Sequence, residues 1–246
     1  MKKKIRQDKI YQHIKKTGHV SVKQLAQLLK VSEMTIRRDL LDLEAIHDTE
    51  PQKTSQTKYD LLTALKKEHQ KKFRIGEKAA ALIEDHETII IDTGSTTAKI
   101  IPYLDEDKQT TILTYNSHIL SELLTNSQIT LKFCGGDYHP ETGMFESPES
   151  ITFLKKHRAT KYFASASGIH ESLGVTCINS YETAIKQASI DSSLEFILMV
   201  DSSKFGVLSP AVFCELHQVD TIITDDDLSP KWIKRLEEQG ITVHTV

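Results

Sequence analysis

The sequence predicts an α/β protein in two parts, a small N-terminal helix-turn-helix head followed by an open, mostly parallel α/β sheet domain. Three observations lead there. Three short amphipathic patterns, punctuated by Gly18 and by Lys30-Val31, fill the first 46 residues. From residue 84 onward, short apolar runs too brief for helices alternate with helical patterns, the rhythm of strands joined by crossover helices. The charge is also split. Residues 1–46 hold 11 Lys and Arg against 5 Asp and Glu, whereas the remaining residues hold 20 against 29. A basic head on an acidic body suggests that only the head meets a polyanion.

In the head, Gln7 to Lys16 carries Ile10, Tyr11 and Ile14 at helical spacing and ends at Gly18. Ser21 with Gln24 is a capping box for a second helix, whose buried side reads as Val22, Leu25, Ala26, Leu28 and Leu29. Ser32 caps a third, in which Ile36, Leu40 and Leu43 recur one helical turn apart. Met34, Thr35, Arg37 and Arg38 lie largely off that stripe. In a helix-turn-helix this part of the recognition helix faces the major groove, where Arg pairs with guanine and Thr touches bases or phosphates. Ser32, Met34, Thr35, Arg37 and Arg38 are therefore the DNA-binding candidates. The plainer alternative is solvated arginines paired with Asp39 or Asp42.

Ala45 to Pro51 contains no glycine and carries Asp48 and Glu50, and Gln52 to Thr57 is a polar linker by composition. Helical signals return from Lys58 to Ile83, a connecting helix with Leu61, Leu62, Leu65, Phe73, Ala79, Ala80, Leu82 and Ile83. The domain limits read as 1–50 for the head, 51–83 for linker and connecting helix, and 84–246 for the body.

In the body the strand candidates are Thr88–Ile91, Thr110–Leu113, Thr130–Phe133, Tyr162–Ser165, Phe196–Val200, Thr221–Ile223 and Thr242–Thr245, with helical patterns at Ser117–Thr125, Tyr181–Ser189 and Pro230–Gln239. The first strand ends in Asp92-Thr93-Gly94 and runs through Ser95-Thr96-Thr97 into an expected short helix over Ala98 to Leu104. Such a junction gathers free backbone amides, hydroxyls and the positive end of a helix dipole, which suits a phosphate. Ser and Thr there serve equally well as plain helix caps. Other polar or glycine-bearing loops fall at strand ends: Tyr115-Asn116-Ser117, Gly135-Gly136, Thr142-Gly143, Ser165–His170 and Asp201–Gly206, the last with Lys204. In an open α/β sheet the ligand lies outside the carboxyl ends of the strands. Glu182 and Lys186 stand four residues apart on a helix, the spacing of an ordinary ion pair.

Cys134, Cys177 and Cys214 are scattered without a C-x-x-C pair, so neither a metal site nor a disulfide framework is expected, and a reducing cytoplasm suits them. The basic start MKKKIRQDK leads into no apolar signal core, and no apolar run approaches membrane-spanning length. No cofactor and no membrane partner are expected.

The stretch HVSVKQLAQLLKVSEMTIRRDLLDLE, His19 to Glu44, resembles the DNA-binding head of the DeoR-type bacterial transcription regulators. IDTGSTT, TYNS, CGGDYHPETGMF, ASGIHESLGVT, ETAIK, VDSSKFG and DTIITD resemble the effector domain of the same family. The resemblance covers nearly the whole chain except about residues 45–57. It implies a winged head, and a body related to ribose-phosphate isomerases that takes phosphorylated sugars as effectors. By position it implies that Gly94, Ser95, Thr96 and Thr97, following Asp92, hold the phosphate with Lys204 as cationic partner. Asn116, Gly135, Gly136, Thr142 and Gly143 would shape the sugar site, with Glu182 and Lys186 beside them. This chain departs from the family at the wing, where AIHDTEP replaces a basic, glycine-bearing hairpin, and at Glu146, where a glycine is usual. The expected function is a repressor of a sugar-utilisation operon, binding operator DNA as a homo-oligomer under control of a phosphorylated sugar. The rival is an isomerase-like enzyme with an appended head. The stretch Ala166–Glu171 is poor in the carboxylates such an enzyme needs.

Overall fold

A computed structural model describes residues 69–246 together with Leu28, Leu29, Val31 and Thr35. The chain divides into two compact units, Met1–Gln56 and Thr57–Val246. In the first, Leu28, Leu29 and Thr35 are helical. Leu28, read above as core-facing, is 56 % exposed. It lies six residues after Val22, off the stripe that Val22, Leu25, Ala26 and Leu29 make at helical spacing. Of the DNA-binding candidates, Ser32, Met34, Arg37 and Arg38 lie outside the described residues, as do the rest of the head and the connecting segment before His69.

The body opens with helix α1 (His69–Ala81) and strand β1 (Thr88–Ile91), followed by a 3-10 turn over Thr97–Tyr103. Next come β2 (Thr110–Thr114), α2 (Ser117–Leu123) and β3 (Ile129–Phe133). A hairpin of β4 (Asp137–His139) and β5 (Met144–Glu146) leads to α3 (Pro148–Lys155) and β6 (Ala159–Ala164). Beyond these lie β7 (Gly168–His170), β8 (Gly174–Cys177), α4 (Tyr181–Asp191) and β9 (Ser193–Met199). The chain closes with β10 (Ala211–Cys214), β11 (Thr221–Thr224), α5 (Pro230–Glu238) and β12 (Thr242–Thr245).

Seven strands form one parallel sheet in the order β12-β11-β9-β6-β1-β2-β3. Both faces are covered, which explains why β1 reads as an unbroken apolar run. Ile89 and Ile91 point to the face packed by Ile75 and Ala79 of α1 and Ile119 of α2. Ile90, between them, points to the face packed by Leu154 of α3, Ile185 of α4 and Leu236 of α5.

All seven central strands fall on the expected segments. The antiparallel additions, the β4–β5 hairpin and the sheet β10-β8-β7, were not expected, because strands of three or four residues carry too little alternation to stand out. The helix α3 is also additional, and is held by a capping box between Ser147 and Ser150. The helix expected over Ala98 to Leu104 is a 3-10 turn instead. Pro102 lies inside it and cannot donate a backbone hydrogen bond, and runs this short tighten readily to three residues per turn.

Candidate functional site

Strand order locates the crevice. From β1 the chain winds through β2 and β3 to one edge, then returns to β6 on the other side of β1 and winds outward through β9, β11 and β12. The winding reverses between β1 and β6, and a crevice outside their carboxyl ends is where an open α/β sheet binds ligands. A cleft opens at that point, lined by Thr93 and Gly94 after β1, Ser165 to Ser167 after β6, Cys177, and Glu182 and Lys186 of α4.

The loop after β1 is built to leave donors unused. Thr97 folds back, its hydroxyl donating to the carbonyls of Asp92 (2.9 Å) and Gly94 (3.1 Å). Thr93 donates to the Thr142 carbonyl at 2.9 Å. The backbone amides of Gly94, Ser95 and Thr96 have no acceptor among the described residues. A Cβ on Gly94 would stand 3.1 Å from the Ser165 Cβ, so a side chain there would crowd the cleft mouth. Thr96 makes no side-chain cap bond, so plain helix capping does not account for its presence. The cation at this loop is one that sequence reading missed. Lys72 of α1, 3 % exposed, donates to the Ser95 hydroxyl at 2.9 Å. Its signal was three-dimensional, since nothing in HQKKFRIGE separates Lys72 from its neighbours.

Lys204, expected as the phosphate's partner, lies in a 3-10 turn over Ser202–Lys204 after β9, one strand beyond β6. Its ammonium makes no hydrogen bond or ion pair among the described residues, including to the loop after β1. The adjoining Phe205 bridges to Ile169 of β7, so the turn flanks the crevice without closing on it.

Asp92 and Lys186 are joined beneath the cleft. Both are fully buried, with the ammonium on Asp92 Oδ2. Asp92 also accepts from the Tyr115 hydroxyl (2.6 Å) and the Ser165 amide (3.2 Å). Burial opposes the charge on Lys186, but Asp92, with Tyr162 and Glu182, holds its proton-binding well above the ordinary lysine range. Asp92 is thereby the internal counter-ion of Lys186, and its oxygens are already satisfied. Glu182 lies 3.7 Å from Lys186 and accepts from Asn179 at 2.9 Å. Burial pushes its carboxyl up, only partly offset by Lys186 and Asn179. It is the cleft's one carboxylate with a wall position among the described residues. Cys177 also lines the cleft, but burial pushes its thiol up to about 12, which removes it as a nucleophile near neutral pH.

The remaining candidates shape the far rim. Asn116 caps α2, accepting from the amides of His118 and Ile119, and donates to Thr93 (2.7 Å) and the Thr142 carbonyl (3.2 Å). Thr142 is buried and Gly143 takes φ +67 at the tip of the β4–β5 hairpin. Gly136, at φ +138, approaches the Glu146 carbonyl so closely that a Cβ would stand 2.5 Å from its oxygen, whereas Gly135 is open to solvent. Glu146 is engaged by His139 at 3.4 Å, and His139 stacks on Tyr181 with centroids 3.7 Å apart. Asn116 and Thr142 thus join the loop after β1, Gly143 holds the start of α2 by accepting from the Ser117 amide and hydroxyl, and Gly135 and Gly136 set the hairpin's base.

The DeoR C terminal sensor domain family matches residues 67–226, and the DeoR-like helix-turn-helix domain family matches residues 6–47. The deoxyribose operon repressor of Escherichia coli (strain K12) is 30 % identical over 239 residues, 94 % of each chain. The HTH-type transcriptional regulator IolR of Bacillus subtilis is 30 % identical over 251 residues, 98 % of this chain and 99 % of that one. Among solved structures, ribose 5-phosphate isomerase A from Methanocaldococcus jannaschii aligns over 55 % of this chain and 53 % of its own, with 18 % identity and a TM-score of 0.40.

Proposed function

The chain belongs to the DeoR family of transcriptional regulators, and on that premise we propose that it is a DNA-binding repressor of a sugar-utilisation operon, controlled by a phosphorylated sugar in the cleft at the ends of β1 and β6. The observation that carries the effector reading is the loop after β1, where three unengaged amides meet the buried ammonium of Lys72. Oriented backbone donors with an adjacent cation suit a phosphate dianion. The sugar would extend toward Glu182, whose carboxylate can accept from hydroxyls. Thr35 with Ser32, Met34, Arg37 and Arg38 would read the operator, and paired half-sites call for a homo-oligomer. The expected setting is the cytoplasm; no helix among the described residues is long and apolar enough to cross a membrane. On this reading the head is residues 1–50, the linker and connecting helix 51–83, and the sensor 84–246, with α1 at the end of the connecting segment packed on the sheet and contributing Lys72 to the site.

A ligand shifts DNA affinity only by its differential affinity for the DNA-competent and DNA-incompetent arrangements. The test is fluorescence anisotropy of the full chain on duplexes it selects from a random pool, titrated with ribose, galactose, tagatose and fructose phosphates. At least one should change operator affinity by about 5- to 150-fold. DNA binding that no sugar phosphate alters sinks the sensor assignment. Unchanged binding by the Arg37→Ala/Arg38→Ala variant sinks the DNA face.

The isomerase reading has one observation in its favour, the raised proton affinity of Glu182 in the cleft wall. Moving a proton between neighbouring carbons needs such a group against the substrate. Asp92, the other carboxylate nearby, is consumed by Lys186, Tyr115 and Ser165. We therefore favour binding without turnover. Isomerisation of any of the four sugar phosphates, lost in Glu182→Gln, would reverse that choice.

A further inference from the structure

Lys71 and Lys72 are consecutive on α1, and they reach different loops at the carboxyl end of the sheet. Lys72 holds Ser95 after β1. Lys71 pairs with Asp225 (2.9 Å) and Asp227 (2.7 Å) after β11 and donates to the Ser202 hydroxyl (3.3 Å) after β9. Asp225 is buried and grips Ser202 twice, through its amide (2.6 Å) and its hydroxyl (2.8 Å). One turn along α1, Arg74 pairs with Asp226 at 3.1 Å. The three consecutive aspartates are therefore committed to cations of α1, so the acidic cluster needs no ion of its own to explain it.

Ser202 begins the turn that carries Lys204, and that turn continues into Phe205 and Gly206, which bond to Ile169 just beyond the cleft wall Ser165–Ser167. If an occupant of the crevice draws the backbone of the turn carrying Lys204 inward, Ser202 moves with it. Ser202 cannot move without disturbing Asp225 and Lys71. In sequence, α1 lies between the helix-turn-helix match at residues 6–47 and the first strand of the sheet.

We infer that Ser202, Asp225 and Lys71 form a relay that converts occupancy of the cleft into a change in α1 at Lys71, separate from the direct contact through Lys72. The inference rests on the sensor reading above and adds the device that transmits it. Coupling of this kind needs an element with two arrangements that both sites bias. We take α1 as that element, because Asp225, which pairs with Lys71 after β11, also holds Ser202 in the turn after β9, the strand beside β6.

The test uses the full chain with Lys71→Met, Ser202→Ala and, as a control, Arg74→Gln, whose partner Asp226 has no bond to Ser202. Two quantities are read for each: the melting-temperature rise with each of the four sugar phosphates, and the fold-change those ligands cause in operator Kd. Lys71→Met should keep the ligand-induced melting shift and the unliganded operator affinity while its ligand-induced fold-change falls toward one. Ser202→Ala should fall in the same direction, and Arg74→Gln should behave as wild type. A full fold-change in Lys71→Met, or in Ser202→Ala should Lys71→Met not fold, overturns the relay and leaves the sensor reading standing. An equal loss in Arg74→Gln also overturns it, since general loosening of α1 would then suffice. A wild-type chain that shows neither melting shift nor fold-change refutes the sensor reading, and the relay with it.

Discussion

Replacing Asp92 by Asn should destabilise the body far more than its nearly unchanged shape suggests. Asp92 is completely buried and is the direct partner of Lys186, which is itself 1 % exposed. The amide oxygen of the Asp92→Asn variant can still accept from Tyr115 or from the Ser165 amide, so few hydrogen bonds are lost. What is lost is the negative charge. Glu182, 3.7 Å away, is then the remaining charged partner of Lys186 among the described residues, beside the Ser165 carbonyl at 3.2 Å, and burial disfavours the ionised form of Glu182. Breaking a buried pair by removing one member costs about 3–5 kcal/mol, because the other charge stays behind in a poor solvent. At about 2–4 °C per kcal/mol for a domain of this size, the melting temperature should drop by roughly 6–20 °C. The assay is urea and thermal unfolding followed by fluorescence. Trp232 on α5 is the chain's one tryptophan, so the signal reports the body and not the head. The double variant Asp92→Asn/Lys186→Met removes both charges and should recover most of the loss, since apolar replacement of a buried pair is often neutral or stabilising. A loss below about 1 kcal/mol in the single variant, or no recovery in the double, refutes the counter-ion assignment.

Three further outcomes are expected. Lys72→Met should weaken sugar-phosphate binding roughly 10- to 150-fold, the worth of a charged hydrogen bond, and isothermal titration would measure it; an unchanged Kd would move the phosphate away from Ser95. Gly76→Ala should cost about 1–3 kcal/mol by chemical denaturation, as overpacking does. Its Cβ would stand 2.3 Å from the Lys99 carbonyl, forcing α1 off the turn that follows the cleft loop. The acid limb of stability should include Asp225. Burial works against its ionisation, but the Ser202 amide and hydroxyl and the Lys71 ammonium outweigh it and hold its carboxyl below the ordinary range. Because its folded value is depressed, its contribution is present above the unfolded value, about pH 4, and is lost as pH falls through the lower folded value. Lys71→Met should therefore flatten the stability profile below about pH 4, and identical profiles would remove Asp225 from the account.

Much of the fold was legible because its signals are local. TIII at Thr88–Ile91 is too short for a helix and too apolar for one face, so it had to be a central strand. Ser117–Leu123 and Tyr181–Asp191 carry their own helical periodicity. The unexpected pieces are those whose stability comes from neighbours. β7, β8 and β10 are three- or four-residue strands stabilised by pairing with one another. The site was legible in part for the same reason. Gly94, Ser95, Thr96 and Thr97 announce a strand-end loop in one dimension. Glu182 and Lys186 announce only a helical ion pair, and the stronger partner of Lys186 turns out to be Asp92, 94 residues away.

The sequence by itself determined the two-part organisation, the family, the central strands of the body and the polar strand-end loop at Gly94–Thr97. Backbone propensity, hydrophobic period and glycine placement act over a few residues and leave their mark in order along the chain. Only the tertiary structure decided which strands lie side by side, and therefore that the crevice falls between β1 and β6. It alone brought Lys72 to Ser95, buried Lys186 on Asp92 and left Lys204 at the rim. Charge compensation in a low-dielectric interior depends on distance in space, and chain order carries no record of it.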